Sequence, residues 1–169
     1  MSAFDPELAA NAAYASSFSG ADLTAPADKG LCVVTCMDSR IDPLAVLGLG
    51  LGDAKVLRNP GGQVTEEVLV ALVLAVHLLE VRRVLVLQHT GCKMASVSDD
   101  EAHDLLTGLA GTSTRGLELR TIPDQHAALE RDVEAVLRSP HLPAGVVVGG
   151  GMYDVATGRV EVLVERTTG

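Results

Sequence analysis

The sequence predicts an α/β fold: a mainly parallel open sheet, about four parallel strands plus a C-terminal hairpin strand, flanked by helices. Three observations predict it. Short apolar runs rich in β-branched residues recur at 31–36 (LCVVTC), 54–57, 84–88 (VLVLQ) and 146–149, as expected of strands buried on both faces. Helical patterns separate these runs, and strand–helix–strand alternation implies parallel neighbours with helices on both faces of the sheet. Near the C-terminus, Ala156-Thr157-Gly158 offers the turn of a hairpin. Without an internal repeat or a low-complexity linker, residues 1–169 read as a single domain, in which 1–30 form an N-terminal helical arm and loop.

The elements follow in order. Residues 5–18 (DPELAANAAYASSF) are Ala-rich and predict a helix, ended by Ser19-Gly20. The first strand at 31–36 leads to one or two helical turns at 41–47, where Pro43 suits a helix start. Gly48, Gly50 and Gly52 do not match the spacing of a phosphate-binding loop and read as turn chemistry. The second strand runs into Arg58-Asn59-Pro60-Gly61-Gly62. Thr65-Glu66-Glu67 then opens a long helix, with a capping hydroxyl and two acids at the positive end of the helix dipole. Between 68 and 81 that helix is apolar on nearly every face. One side covers the sheet, and the other calls for a second cover, for which a partner subunit is the natural candidate. The third strand ends directly at His89, and Ser98-Asp99-Asp100-Glu101 has capping-box spacing. A weakly patterned stretch, 111–122, precedes an amphipathic helix at 124–138, closed by Ser139-Pro140.

Composition narrows the function. Hydrophobic residues make up 47% of the chain and aromatics only 2%, so the core is built from Val, Leu and Ala. A net charge of −9 argues against nucleic acid and against anionic membranes, both of which attract basic surfaces. The start of the chain lacks a basic segment followed by an apolar one, and the longest apolar run, 68–79, is too short to span a bilayer. The expectation is a soluble cytoplasmic protein. There, three cysteines do not suggest a disulfide framework.

Two of them have another explanation. Cys36 closes the first strand and His89 the third, and open α/β sheets build their sites outside the carboxyl ends of strands where the strand order reverses. His89-Thr90-Gly91-Cys92 presents an imidazole and a thiolate three positions apart. Two thiolates and an imidazole suit zinc, whereas magnesium and calcium prefer oxygen. Catalytic zinc sites keep a fourth position for water, whose pKa falls to about 7 on binding. Asp38, two residues after Cys36, reaches the same region, either as a further ligand or to orient that water. Arg40 has the parity to hold the Asp38 carboxylate in a bidentate pair. Cys32 reads as a buried core thiol and His77 as a core or interface histidine. His103, His126 and His141 read as surface residues, and Asp99, Asp100 and Glu101 as a helix start.

Cys36-Met37-Asp38-Ser39-Arg40, Arg58-Asn59-Pro60-Gly61-Gly62 and His89-Thr90-Gly91-Cys92, in that order and spacing, resemble the pattern of the β-class carbonic anhydrases. The length is similar to the compact bacterial branch of that family. The resemblance runs from about residue 5 to the segment 153–158. It implies one zinc per subunit on Cys36, His89 and Cys92, a dyad of Asp38 with Arg40, and a homodimer with active sites near the subunit interface, leaving open whether dimers pair into a tetramer. The implied reaction is reversible hydration of carbon dioxide to bicarbonate and a proton by zinc-bound hydroxide. Gly61 and Gly62 then shape a small substrate pocket, with backbone amides near them facing the product anion. In some members the aspartate swings onto zinc as a fourth ligand. Two positions depart from the family's usual residues: Pro60 stands where the family has Ala, and Lys93 where it has Gly. The same zinc chemistry also serves a hydrolase of carbon disulfide or carbonyl sulfide, and a permanently closed site would make a non-catalytic zinc protein.

Overall fold

The computed structural model describes residues 2–169. Five strands form one sheet: β1 (Leu31–Cys36), β2 (Ala54–Asn59), β3 (Arg83–His89), β4 (Val147–Tyr153) and β5 (Val160–Thr167). Their order is β2-β1-β3-β4-β5. The first four run parallel, and β5 returns antiparallel to β4. The predicted mixed sheet with a C-terminal hairpin strand is therefore the observed one. Strand order reverses between β1 and β3, the place where the sequence puts the site.

The helices are α1 (Asp5–Ser16), α2 (Pro43–Val46), α3 (Glu66–Leu78), α4 (Asp99–Ala110) and α5 (Gln125–Leu137). Val68, Leu72 and Ala75 of α3 and Leu129, Val133 and Val136 of α5 pack on Cys32, Val34, Val84, Val86 and Val148. This is the main core, and it lies on one face of the sheet. The opposite face presents Val33 and Leu87 and carries only the four-residue α2 and the loops of the site, with Ile41, Val46 and Leu47 packed there. The expected helical cover on both faces is thus unequal. The caps are as the sequence suggests: Thr65 accepts from the Val68 amide, and Ser98 and Glu101 form a reciprocal capping box.

Strands β2 and β4 are longer than the sequence suggests. In β4 the extension passes through Gly149, Gly150 and Gly151, which have low strand propensity. A Cβ on Gly150 would lie 2.7 Å from Val164 Cγ1 and 2.9 Å from Val133 Cγ2, so the missing side chain lets α5 sit directly on the strand. Helix α1 has no buried residue, and Phe4, Leu8 and Tyr14 beside and within it are exposed. On α3, Val70, Leu74 and Leu78 are likewise more than half exposed, which is the uncovered side anticipated from the apolar pattern. Among the described residues no helix is long and apolar enough to cross a membrane.

Candidate metal centre

Cys36 and His89 end adjacent parallel strands, and a turn through Gly91 (φ +64°) brings Cys92 back beside them. The three donor atoms lie within 4.8 Å of one another. All three residues are buried, His89 completely. His89 Nδ1 lies 2.9 Å from the Thr90 carbonyl, so Nδ1 carries the proton and donates it there. Nε2 is then a free lone pair facing the cluster, buried without a hydrogen-bond partner among the described residues. Burial pushes the His89 pKa down and keeps the ring neutral. Burial, reinforced by the neighbouring Cys36, pushes the Cys92 thiol up. The Gly61 amide donates to Cys36 Sγ at 3.3 Å. Two crowded buried sulfurs beside an unpaired imidazole nitrogen fit a thiophilic cation, and zinc takes this donor set in tetrahedral geometry.

Asp38 stands at the edge of the cluster, with Oδ2 3.9 Å from His89 Nε2. Arg40 grips its carboxylate at three points: the backbone amide and Nε donate to Oδ1 at 2.9 Å, and Nη2 donates to Oδ2 at 2.7 Å. These hydrogen bonds hold the Asp38 carboxyl far below the usual carboxylate range. Arg40 Nη2 also donates to the Gly91 carbonyl at 3.1 Å, tying the loop after β1 to the turn after β3. The carboxylate is engaged by Arg40 and stands outside the group formed by Cys36, His89 and Cys92.

The Pro60–Gly62 segment makes one 3-10 turn beside Cys36. A Cβ on Gly62 would stand 2.8 Å from the Cys36 amide, and its φ of +66° also favours glycine. The Gly61 amide is used by the Cys36 sulfur, so it is not free to face an anion as the sequence reading expects. Two further residues had no role assigned from sequence. Arg58 donates through Nε to the Cys36 carbonyl at 2.9 Å and through Nη2 to the Asp38 carbonyl at 2.7 Å. The Asn59 side chain brackets Gln63, accepting from its amide and donating to its carbonyl, both at 2.8 Å. Their signal was the register: Thr35 pairs with Arg58 and Cys36 with Asn59 across β1 and β2.

Other expectations divide. Cys32 is a fully buried core thiol, pushed up to about 12 by burial. His126, His141 and Lys93 are exposed. His77 is exposed rather than in the core, and its ring meets the His141 carbonyl at 2.9 Å. His103 is buried rather than on the surface, because Nδ1 pairs with the Thr114 hydroxyl at 3.0 Å. Asp99, Asp100 and Glu101 begin α4, as read.

A family model described as carbonic anhydrase matches residues 31–112. Beta-carbonic anhydrase 1 of Mycobacterium tuberculosis is 33% identical over 164 residues, which is 95% of this chain and 97% of that protein. The chain belongs to the β-carbonic anhydrase family. Among solved structures, carbonic anhydrase from Streptococcus mutans superposes with a TM-score of 0.90 at 34% identity, covering 97% of this chain and 99% of that one. Carbon disulfide hydrolase of Acidithiobacillus thiooxidans is 28% identical over 157 residues, spanning 80% of this β-carbonic anhydrase and 77% of the hydrolase.

Proposed function

We propose that the chain, read as one domain over residues 1–169 with an arm at 1–30, is a zinc enzyme for reversible hydration of carbon dioxide to bicarbonate and a proton. The observation that carries this reading is the Asp38 carboxylate, held ionised by Arg40 at the rim of the Cys36–His89–Cys92 group. A cluster that merely fixed the fold would have no use for a charged acceptor locked in place beside it. A zinc ion bound by these three residues supplies Lewis acidity that brings the pKa of a coordinated water to about 7. Asp38, being ionised, only accepts hydrogen bonds, so Oδ2 orients a donor at the mouth of the site toward the substrate. Arg40 prevents the carboxylate from rotating or taking a proton. Gly61 and Gly62, buried and without side chains, let the turn after β2 press against Cys36, at the edge of a pocket for a small substrate. Asp38 serves as a fourth ligand only in a closed form, in which it gives up its three bonds to Arg40.

The exposed apolar residues of α1 and of α3 support a homodimer, with dimers pairing into tetramers as a further step. The acidic chain needs no nucleic-acid or membrane partner, and three free thiols suit the cytoplasm. The test is stopped-flow hydration of carbon dioxide at about pH 7 and pH 9 on protein of measured zinc content, with Cys36→Ser as control. Turnover that depends on Cys36 is the expected result. Zinc-loaded protein that does not hydrate carbon dioxide, yet releases sulfide from carbon disulfide, would instead support the activity named for the Acidithiobacillus relative.

A further inference from the structure

Residues 120–125, which end the link from α4 and open α5, touch every part of the chain that carries a ligand, although they carry none themselves and lie beyond the 31–112 family match. Toward Cys36, the Arg120 carbonyl accepts from Gln63 Nε2 at 2.8 Å, and the same nitrogen reaches the Pro60 carbonyl at 3.2 Å. Ile122, only 1% exposed, presses on Gly61: a Cβ there would lie 3.2 Å from Ile122 Cδ1. The amide of that same Gly61 donates to Cys36 Sγ. Toward Cys92, the Ile122 amide donates to the Met94 carbonyl at 2.8 Å, two residues past the ligand. Toward His89, Gln125 Nε2 donates to the ligand's own carbonyl at 2.9 Å. The Thr121 amide anchors the segment to Asp99 Oδ1 at 2.9 Å. Arg120 adopts φ +55°, a left-handed conformation unusual for a non-glycine residue, which persists only where surrounding contacts over-determine it.

We propose that residues 120–125 are a brace that sets the spacing of the three metal ligands, and that Ile122 and Gln125 are positioning residues acting through Gly61, Met94 and the His89 carbonyl. This rests on the metal site of the proposed function. Neither side chain offers a metal donor at the cluster, so each acts on geometry alone. Partners that orient metal ligands typically change metal affinity by about 10–100-fold when removed.

The test uses full-length Gln125→Met, which keeps length and removes the donor, Ile122→Ala with Ile122→Val as its conservative counterpart, and Thr112→Ala as an exposed control on the link between α4 and α5. Zinc affinity is measured by chelator competition, and the cobalt-substituted proteins are compared by their ligand-field and thiolate charge-transfer absorption. Gln125→Met and Ile122→Ala are expected to weaken zinc binding at least about tenfold and to shift the cobalt bands, while Ile122→Val and Thr112→Ala stay near wild type. Folding is followed by far-ultraviolet circular dichroism, and if Ile122→Ala does not fold, Gln125→Met decides. Folded Gln125→Met with wild-type affinity and an unchanged cobalt spectrum overturns the brace. Wild-type protein that binds zinc without hydrating carbon dioxide overturns the proposed reaction and leaves the brace standing.

Discussion

Asp132→Asn should stabilise this protein, and by an amount that depends on pH. Asp132 lies on α5 with Oδ2 buried, and beside it on β3 is the fully buried Gln88, whose amide approaches the carboxyl without forming a well-aligned hydrogen bond. Burial pushes the Asp132 carboxyl from an ordinary 3.8 up to about 6, and the Val64 amide, Arg131, the Gln88 side chain and Arg120 offset that only in part. A raised carboxyl pKa means that the folded chain holds its proton more tightly than the unfolded one. Stability is therefore unaffected below the unfolded value, falls as pH rises from about 4 to 6, and carries the whole penalty above that. The shift corresponds to about 3 kcal/mol, reduced to about 2–3 because solvent reaches part of the side chain. Asparagine removes the charge while keeping the shape. Urea unfolding of variant and wild type at matched protein concentration should show the variant more stable by about 2–3 kcal/mol at pH 8, with the gap closing to within about 0.5 kcal/mol near pH 3.5. Metal released by acid is lost from both proteins alike and cancels in the difference. A gap of the same size at both pH values, or a variant less stable at pH 8, would refute the reasoning.

Two further substitutions address the site. Gly62→Ala places a Cβ 2.8 Å from the Cys36 amide at φ +66°; a loss of at least about 1–2 kcal/mol is expected, with sub-stoichiometric zinc, read by thermal unfolding and metal analysis. Arg58→Met removes both donors that hold the Cys36 and Asp38 carbonyls without touching a ligand; kcat/KM for carbon dioxide should fall on the order of tenfold or more while the zinc content stays at one per chain, and a loss of zinc in step with activity would contradict the assigned role.

The parts of the molecule that the sequence announced are those whose signal lies in side chains. LCVVTC and the run ending in Gln88 are legible because strands buried on both faces must be apolar throughout. The Cys36–His89–Cys92 group is legible because two strands end on side chains of metal-binding chemistry and a third such side chain follows three residues on. Gly150 concealed half of β4, since its job is to have no side chain where α5 lands. His103 was placed wrongly because its partner, Thr114, lies eleven residues away in an unpatterned stretch. That stretch reads as featureless for a related reason: the Arg120 carbonyl and the Thr121 and Ile122 amides make its contacts, and main-chain groups leave no trace in residue identity. The charge of Asp132 had no sequence signal either, since its position on α5 looked like any other acid on an amphipathic helix.

The same dominance of the main chain explains why the two departures from the family's usual residues leave the site assembled. Five struts between the loops end on backbone carbonyls: Arg58 on those of Cys36 and Asp38, Arg40 on that of Gly91, Gln125 on that of His89, and Ile122 on that of Met94. Pro60 enters at the first position of a 3-10 turn, where a missing N–H is tolerated, and the amide that serves Cys36 comes from Gly61 instead. Lys93 turns its side chain to solvent, while the carbonyl of the next residue, Met94, carries the tie to Ile122. Neither replacement removes a group on which a strut depends. A change at Gln125 removes such a group and one at Gly62 crowds the Cys36 amide, so both should reach the metal where Pro60 and Lys93 do not.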